Sequence, residues 1–170
     1  MGNLFIEITA AAIDLEKAIQ WAPNGTHGAS CSFIGYVRNL NMGKQVTAIE
    51  YDCYEKLCEN VFRKISEEAQ EKWGQDSNIL IIHRHGRLNI GEASVCIIVT
   101  TKHRDESYKT SRYIIEEIKE RAPIWKKEFY LDGETDWVRG HALCQHRKIE
   151  SHEDYRNHSC GGKVHSHESR

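Results

Sequence analysis

The chain switches between two hydrophobic periods. In NLFIEIT, residues 3–9, apolar and polar positions alternate, which predicts a strand. The same reading predicts strands over 28–38 (GASCSFIGYVR), 46–54 (VTAIEYDCY), 78–85 (NILIIHRH), 93–101 (ASVCIIVTT) and 124–131 (IWKKEFYL), with a short last one in DWVRG, 136–140. Helical spacing takes over at 55–73, where Leu57, Val61, Phe62, Ile65, Ala69 and Trp73 recur and charges fill the other face. A second long helix is predicted from Asp105 to Ala122, with Tyr108, Ile115, Ile118 and Ala122 on one stripe, Asp105 as N-cap and Pro123 as stop. A short helix fits 13–21, with Asp14 in its first turn. APNGTHG (22–28) and LNMGK (40–44) read as loops, and Gly86 and Gly91 mark the link between two strands.

Strands and helices mix without strict alternation, and some links are too short for parallel crossovers. These features predict an α+β domain with a mixed or largely antiparallel sheet and two long helices, over residues 1–146. The segment 147–170, RKIESHEDYRNHSCGGKVHSHESR, has few apolar residues and mixed charge. It cannot repay the entropy of ordering and is expected to be a disordered, His-rich tail.

Composition narrows the function classes. At 170 residues, 39% hydrophobic and 28% charged, the chain suits one soluble domain. The formal net charge of -2 supplies no basic field to recruit nucleic acid, so any cationic site is local. No apolar run reaches the ~20 residues of a membrane span. MGNLFIEITA has no basic n-region, so it reads as a strand and not as a signal peptide, and Ile6 stands where a myristoylation motif needs Ser or Thr. The six cysteines, at 31, 53, 58, 96, 144 and 160, form no CxxC pair and mostly lie in apolar segments. Buried, reduced thiols in a cytoplasmic protein are expected. Six of the ten histidines fall in the tail and its approach, at irregular spacing and without a scaffold, so no metal site is expected.

Four stretches carry candidate chemistry. Arg38, closing the strand that holds GYVRN, offers a bidentate fork for an anion, although an arginine at a strand end is commonplace. His103 and Arg104, in TTKHR, lie where a strand meets a helix N-terminus. Free amides and the dipole there suit a phosphate or carboxylate; a solvated strand end is the alternative. In HRH, His83 and His85 share a strand face and Arg84 takes the other; structural or surface roles are favoured over catalysis. The stretch IKERAPIWKKE, 118–128, sets Lys119 in a last helical turn beside buried Ile118. A lysine there can simply interact with the helix dipole. If Trp125 and Phe129 pack inward, Lys126 faces outward near Lys119, and two close ammonium groups can bring one toward acid–base or nucleophilic use.

Fifteen residues separate Arg104 from Lys119 on one helix. At ~1.5 Å per residue the two ends lie roughly 22 Å apart. One small-molecule site holds both only if a second copy of the chain contributes one end, as in a two-fold dimer with two equivalent sites.

Together, GYVRN at 35–39, HRHG at 83–86, TTKHR at 100–104 and IKERAPIWKKE at 118–128 resemble the large, catalytic subunit of molybdopterin synthase (MoaE-like), in order and spacing, over roughly residues 3–140. The resemblance implies an α/β hammerhead fold with an added antiparallel region. It implies a sulfurtransferase of molybdenum cofactor biosynthesis, which installs two dithiolene sulfurs on cyclic pyranopterin monophosphate to form molybdopterin. Sulfur would arrive as a thiocarboxylate on the C-terminal Gly-Gly of a small ubiquitin-like subunit, with the large subunit as the central dimer of a heterotetramer. The family's basic site residues fall on Arg38, His103, Arg104, Lys119 and Lys126, and a further one falls on Arg139 or His141. Lys119 is expected as the central acid–base or electrostatic group with Lys126 beside it, and Arg38, His103 and Arg104 as phosphate ligands. No cofactor and no catalytic cysteine are implied, because the partner supplies the sulfur. A non-catalytic module binding a phosphorylated ligand or an acidic peptide tail through the same cations is the competing reading. A nucleic-acid binder comes third, for want of a basic stripe with stacking aromatics.

Overall fold

The computed structural model describes residues 2–22 and 25–138. Arg139, His141 and the segment 147–170 lie outside the described residues. The order is β1 (Leu4–Thr9), α1 (Leu15–Trp21), β2 (Ala29–Tyr36), β3 (Leu40–Asn41), β4 (Lys44–Cys53), α2 (Glu55–Trp73), β5 (Asn78–Arg84), β6 (Gly86–Asn89), β7 (Ala93–Thr101), α3 (Arg104–Arg121), β8 (Ile124–Tyr130) and β9 (Thr135–Val138). Two sheets result, so the fold is α+β as expected. No helix among the described residues is long and apolar enough to cross a membrane.

The first sheet runs β1-β5-β7-β2, with β1 parallel to β5 and the other pairs antiparallel. Its central strands are buried on both faces, which is why they read as nearly continuous apolar runs. Period two divides each run between two cores. Ile79, Ile81, Val95, Ile97 and Val99 pack against Phe62, Ile65 and Ala69 of α2 and Ile114, Ile115 and Ile118 of α3. Leu80, Ile82, Cys96 and Ile98 face Ala18 and Ala22 at α1 on the other side.

The second sheet runs β3-β4-β8-β9, with β6 also on β4. Three of its features depart from the expectation. Residues 40–44 form a tight hairpin, not a plain loop: Leu40 pairs Gln45 across a two-residue turn at Met42 and Gly43, both at positive φ (48° and 81°). The link after β5 is itself a strand. Gly86, at φ 79°, turns the chain out of the first sheet, and β6 pairs Gly86–Asn89 with β4. On β8, the alternation is present but its sense is reversed: Trp125 is 47% exposed and Lys126 9%.

The helices hold their predicted extents to within a residue or two. Asp14 is the N-cap of α1, its carboxylate accepting from the Lys17 amide at 3.0 Å. α3 begins one residue earlier than expected, with His103 and not Asp105 at the cap, and Asp105 pairs with Lys109 at 2.6 Å. Its buried stripe carries Ser107, Thr110 and Ser111 where Tyr108 was expected, and Tyr108 is exposed. Small side chains there let α3 lie close on β7 and β2. Leu57 likewise lies off the buried face of α2, which Cys58 occupies instead. Arg121 and Tyr113 of α3 clamp Glu68 of α2, with contacts of 2.6 and 2.8 Å.

Candidate active site

The C-terminal end of α3 and strands from both sheets enclose a cavity of about 410 Å³. Each polar side chain on its lining has a local reason to be there. Arg38 follows β2 just past the irregularity at Gly35/Tyr36, which turns the chain at the cavity rim. Lys119 comes from the last turn of α3, one residue beyond buried Ile118, and so borders the core and the opening together. Lys126 and Glu128 share the inward face of β8. Asn41 arrives on the β3–β4 hairpin, Tyr51 on β4 and His83 at the end of β5. Ile49, Val95, Ile115 and Ile124 supply apolar wall between them.

Burying Lys126 requires a counter-charge, and Glu128 provides it at 2.5 Å. Glu128 is 1% exposed. Burial pushes its carboxyl up, but donation from Lys126, Tyr130 and Asn41 outweighs this and holds it below the usual carboxylate range. The Tyr130 and Asn41 contacts measure 2.7 and 2.8 Å. This network explains the reversed face of β8. Sequence pattern alone favours Trp125 inside, but a charged pair with two further hydrogen-bond partners is satisfied when buried, and the indole is left outward. The nearest charge to Lys126 is therefore an acid and not a second ammonium. Lys119 and Arg38 have no ion-pair or hydrogen-bond partner among the described residues, so both are available to an anionic ligand.

Arg38, Lys119 and Lys126 are thus brought together, and His103 and Arg104 are not. Both of the latter are exposed at the start of α3, which runs unbroken from Arg104 to Arg121. Within one chain they stay at the far end of the helix, roughly 22 Å away by its rise.

Three residues at the cavity were not singled out from the sequence: Glu128, Tyr51 and His83 as a lining residue. His83 is 7% exposed. Its signal was present in period two: Ile79, Ile81 and His83 share the face that α2 and α3 cover. His85, on the same side, is half-buried and meets Glu55 at 3.3 Å. Arg84 takes the opposite face and bonds Glu92 at 3.2 Å, a structural role as expected.

Comparison with known proteins identifies the family. Residues 8–121 match the family model described as MoaE protein. The molybdopterin synthase catalytic subunit of Synechococcus elongatus is 43% identical over 143 residues, covering 84% of this chain and 87% of that one. That of Bacillus subtilis is 41% identical over 132 residues, covering 78% and 83%. Among solved structures, molybdopterin synthase from Staphylococcus aureus superposes with a TM-score of 0.73 at 36% identity, covering 78% of this chain and 95% of that one. A complex of subunits 1 and 2 of molybdopterin-converting factor from Helicobacter pylori gives 0.63 at 27% identity, covering 80% and 90%. On the strength of a matched family model, these relatives and the shared fold, the chain belongs to the MoaE family of molybdopterin synthase catalytic subunits.

Proposed function

We propose that the cavity at the end of α3 is where this sulfurtransferase moves sulfur onto cyclic pyranopterin monophosphate, Lys119 acting at its centre and Lys126 beside it. The observation that carries the reading is convergence. Three cations distant in sequence, Arg38, Lys119 and Lys126, open onto one half-apolar cavity large enough for a small ligand. Sulfur transfer passes through anionic adducts at the thiocarboxylate carbon and at the pterin side chain. Preorganised cations stabilise such charge as it develops. Glu128 holds Lys126 in place, which leaves Lys119, without an ion-pair partner among the described residues, as the better acid–base or electrostatic group.

Sulfur comes from a small ubiquitin-like subunit bearing a thiocarboxylate on its C-terminal Gly-Gly. The two-subunit make-up of the H. pylori complex supports such a partner. The substrate phosphate is bound by Arg38 together with His103 and Arg104 of a second copy of the chain, because one copy cannot bring both ends of α3 to one ligand. The unpaired guanidinium of Arg38 suits that anion. Among the described residues, neither buried cysteine suits the step: burial pushes the Cys58 thiol up to about 12 and Cys96 to about 11, which keeps them protonated. The four described cysteines are free, which fits a reducing cytoplasm. That the relatives are catalytic subunits favours this reading over a non-catalytic phosphate or peptide binder.

The test is Lys119→Ala assayed with a purified thiocarboxylated small subunit. Product formation is expected to fall by at least about 100-fold while dimer and small-subunit binding persist. Near-normal turnover overturns the assignment.

A further inference from the structure

Among the groups around the cavity, the imidazole of His83 has a chemistry that the cations do not supply. Its Nδ1 lies 2.8 Å from the Arg84 carbonyl oxygen. A carbonyl only accepts, so Nδ1 carries the proton and donates it. In the neutral ring this leaves Nε2 as a bare lone pair. The ring cannot easily turn to exchange the two nitrogens. Tyr51 stands edge-on to it at 5.3 Å between centroids, and Phe62 lies against it at 6.3 Å. Arg84, whose carbonyl anchors it, is itself held by Glu92 and by the Ala10 carbonyl. The charged and titratable groups that line the cavity with it are Tyr51 on β4, Arg38 after β2, Lys119 on α3, and Lys126 and Glu128 on β8; His85 follows just past the end of its own strand. The neighbouring His85 also disfavours an imidazolium, while the hydrogen bond to the Arg84 carbonyl favours it. Burial pushes the His83 ring down to about 4, so it is uncharged near pH 7.

We propose that His83 is a further catalytic residue, the proton acceptor for the water that releases the small subunit from the substrate. This rests on the reading of the cavity as the sulfur-transfer site. Once the thiocarboxylate sulfur has bonded to the substrate carbon, with the electron pair of the carbon–oxygen bond it replaces leaving on oxygen, the carrier's acyl carbon is joined to that sulfur as a thioester. One water frees it. The water oxygen bonds to the acyl carbon and gives one proton to His83 Nε2. The carbon–sulfur bond of the acyl group then breaks, and its electron pair stays on sulfur as the substrate thiolate. The carrier leaves as a carboxylate, its second proton passes to solvent, His83 then gives up its own proton to solvent and returns to the neutral ring, and nothing is oxidised or reduced. Lys119 and Lys126 are assigned to stabilising the oxyanion and the thiolate, and a cation in that role cannot also accept that proton. A fixed-tautomer neutral imidazole on the same wall can.

His83→Asn is the discriminating variant, because its amide nitrogen replaces the Nδ1 donor toward Arg84 while removing the Nε2 acceptor. In a single-turnover assay with thiocarboxylated small subunit and cyclic pyranopterin monophosphate, its product release should fall about 100-fold or more. Affinity for the small subunit should be unchanged, and mass spectrometry should show the carrier–substrate thioester accumulating. Lys119→Ala in parallel should give neither product nor adduct; if it turns over normally, the cavity reading fails, whatever His83 does. If Lys119→Ala is inactive but His83→Asn keeps turnover within about threefold, or loses it without adduct, the His83 proposal is overturned. Nitrogen-15 NMR of the native ring provides a test that needs no variant. The Nδ1–H tautomer is expected at neutral pH, and an Nε2–H tautomer or an imidazolium overturns the proposal.

Discussion

Glu128 shows how much one buried carboxylate can decide. It is 1% exposed and accepts from Lys126, Tyr130 and Asn41, so it fixes one of the site's ammonium groups and closes the hairpin over the cavity. Glu128→Gln removes the charge and leaves Lys126 buried without its counter-ion. The expected cost is about 3 kcal/mol of stability with a matching loss of activity, read from urea unfolding and turnover. His83 adds a pH dependence. Its folded ring titrates near 4, against an ordinary 6.5, because burial disfavours the charged form. Between those values the unfolded chain binds the extra proton, so stability falls as pH drops from 6.5 toward 4 and levels off below. His83→Asn should flatten that part of the curve, a change visible in urea midpoints measured across it. Which residues carry charge to the site was legible in IKERAPIWKKE, but which way they point was not. Alternation placed Lys126 and Glu128 on one face; only the partners Asn41, remote in sequence, and Tyr130, two residues further along the strand, make that face the inner one.

At the level of elements, period was a good guide and pairing was not. The span 55–73 is α2 to the residue, because its charged and apolar faces separate cleanly at helical spacing. β6 was invisible, since GRLN is short and its partner, β4, lies far back in the chain. Tyr108 was placed on the buried stripe of α3 by its spacing to Ile115, Ile118 and Ala122, yet the close approach to β7 and β2 selects Ser107, Thr110 and Ser111. α2 and α3 are further joined by Glu68. Hydrogen bonds from Arg121, then from Tyr113, hold its carboxyl down to about 2 from an ordinary 4.5. A depressed carboxylate stabilises the fold above its unfolded value and loses that contribution as pH falls through the folded one. Glu68→Gln should therefore remove part of the acid sensitivity between 4.5 and 2, detectable as a shallower loss of stability on acidification. Because the pair is partly exposed, the effect should shrink with added salt.

For the whole molecule, the decisive feature is one helix with proposed site residues at both ends. Arg104 opens α3 and Lys119 lies in its last turn. If two copies share each site, Lys119→Ala and Arg104→Ala chains should complement one another. A mixed dimer then has one site with both defects and one with none, and random mixing should recover about a quarter of native activity. Mixtures as inactive as either variant alone would show that the sites are not shared. What the residue order determined by itself was local and periodic: two long helices, strands with two buried faces, and the stretches that resemble a known family. These follow from side-chain spacing, which needs no knowledge of distant neighbours. What only the tertiary structure decided was non-local: β6 leaving one sheet for the other, Lys126 turning inward to Glu128, and His83 arriving on the wall that Lys119 borders. The physical reason is that the burial of a polar group depends on partners far away in the chain, and only folding brings them within hydrogen-bonding distance.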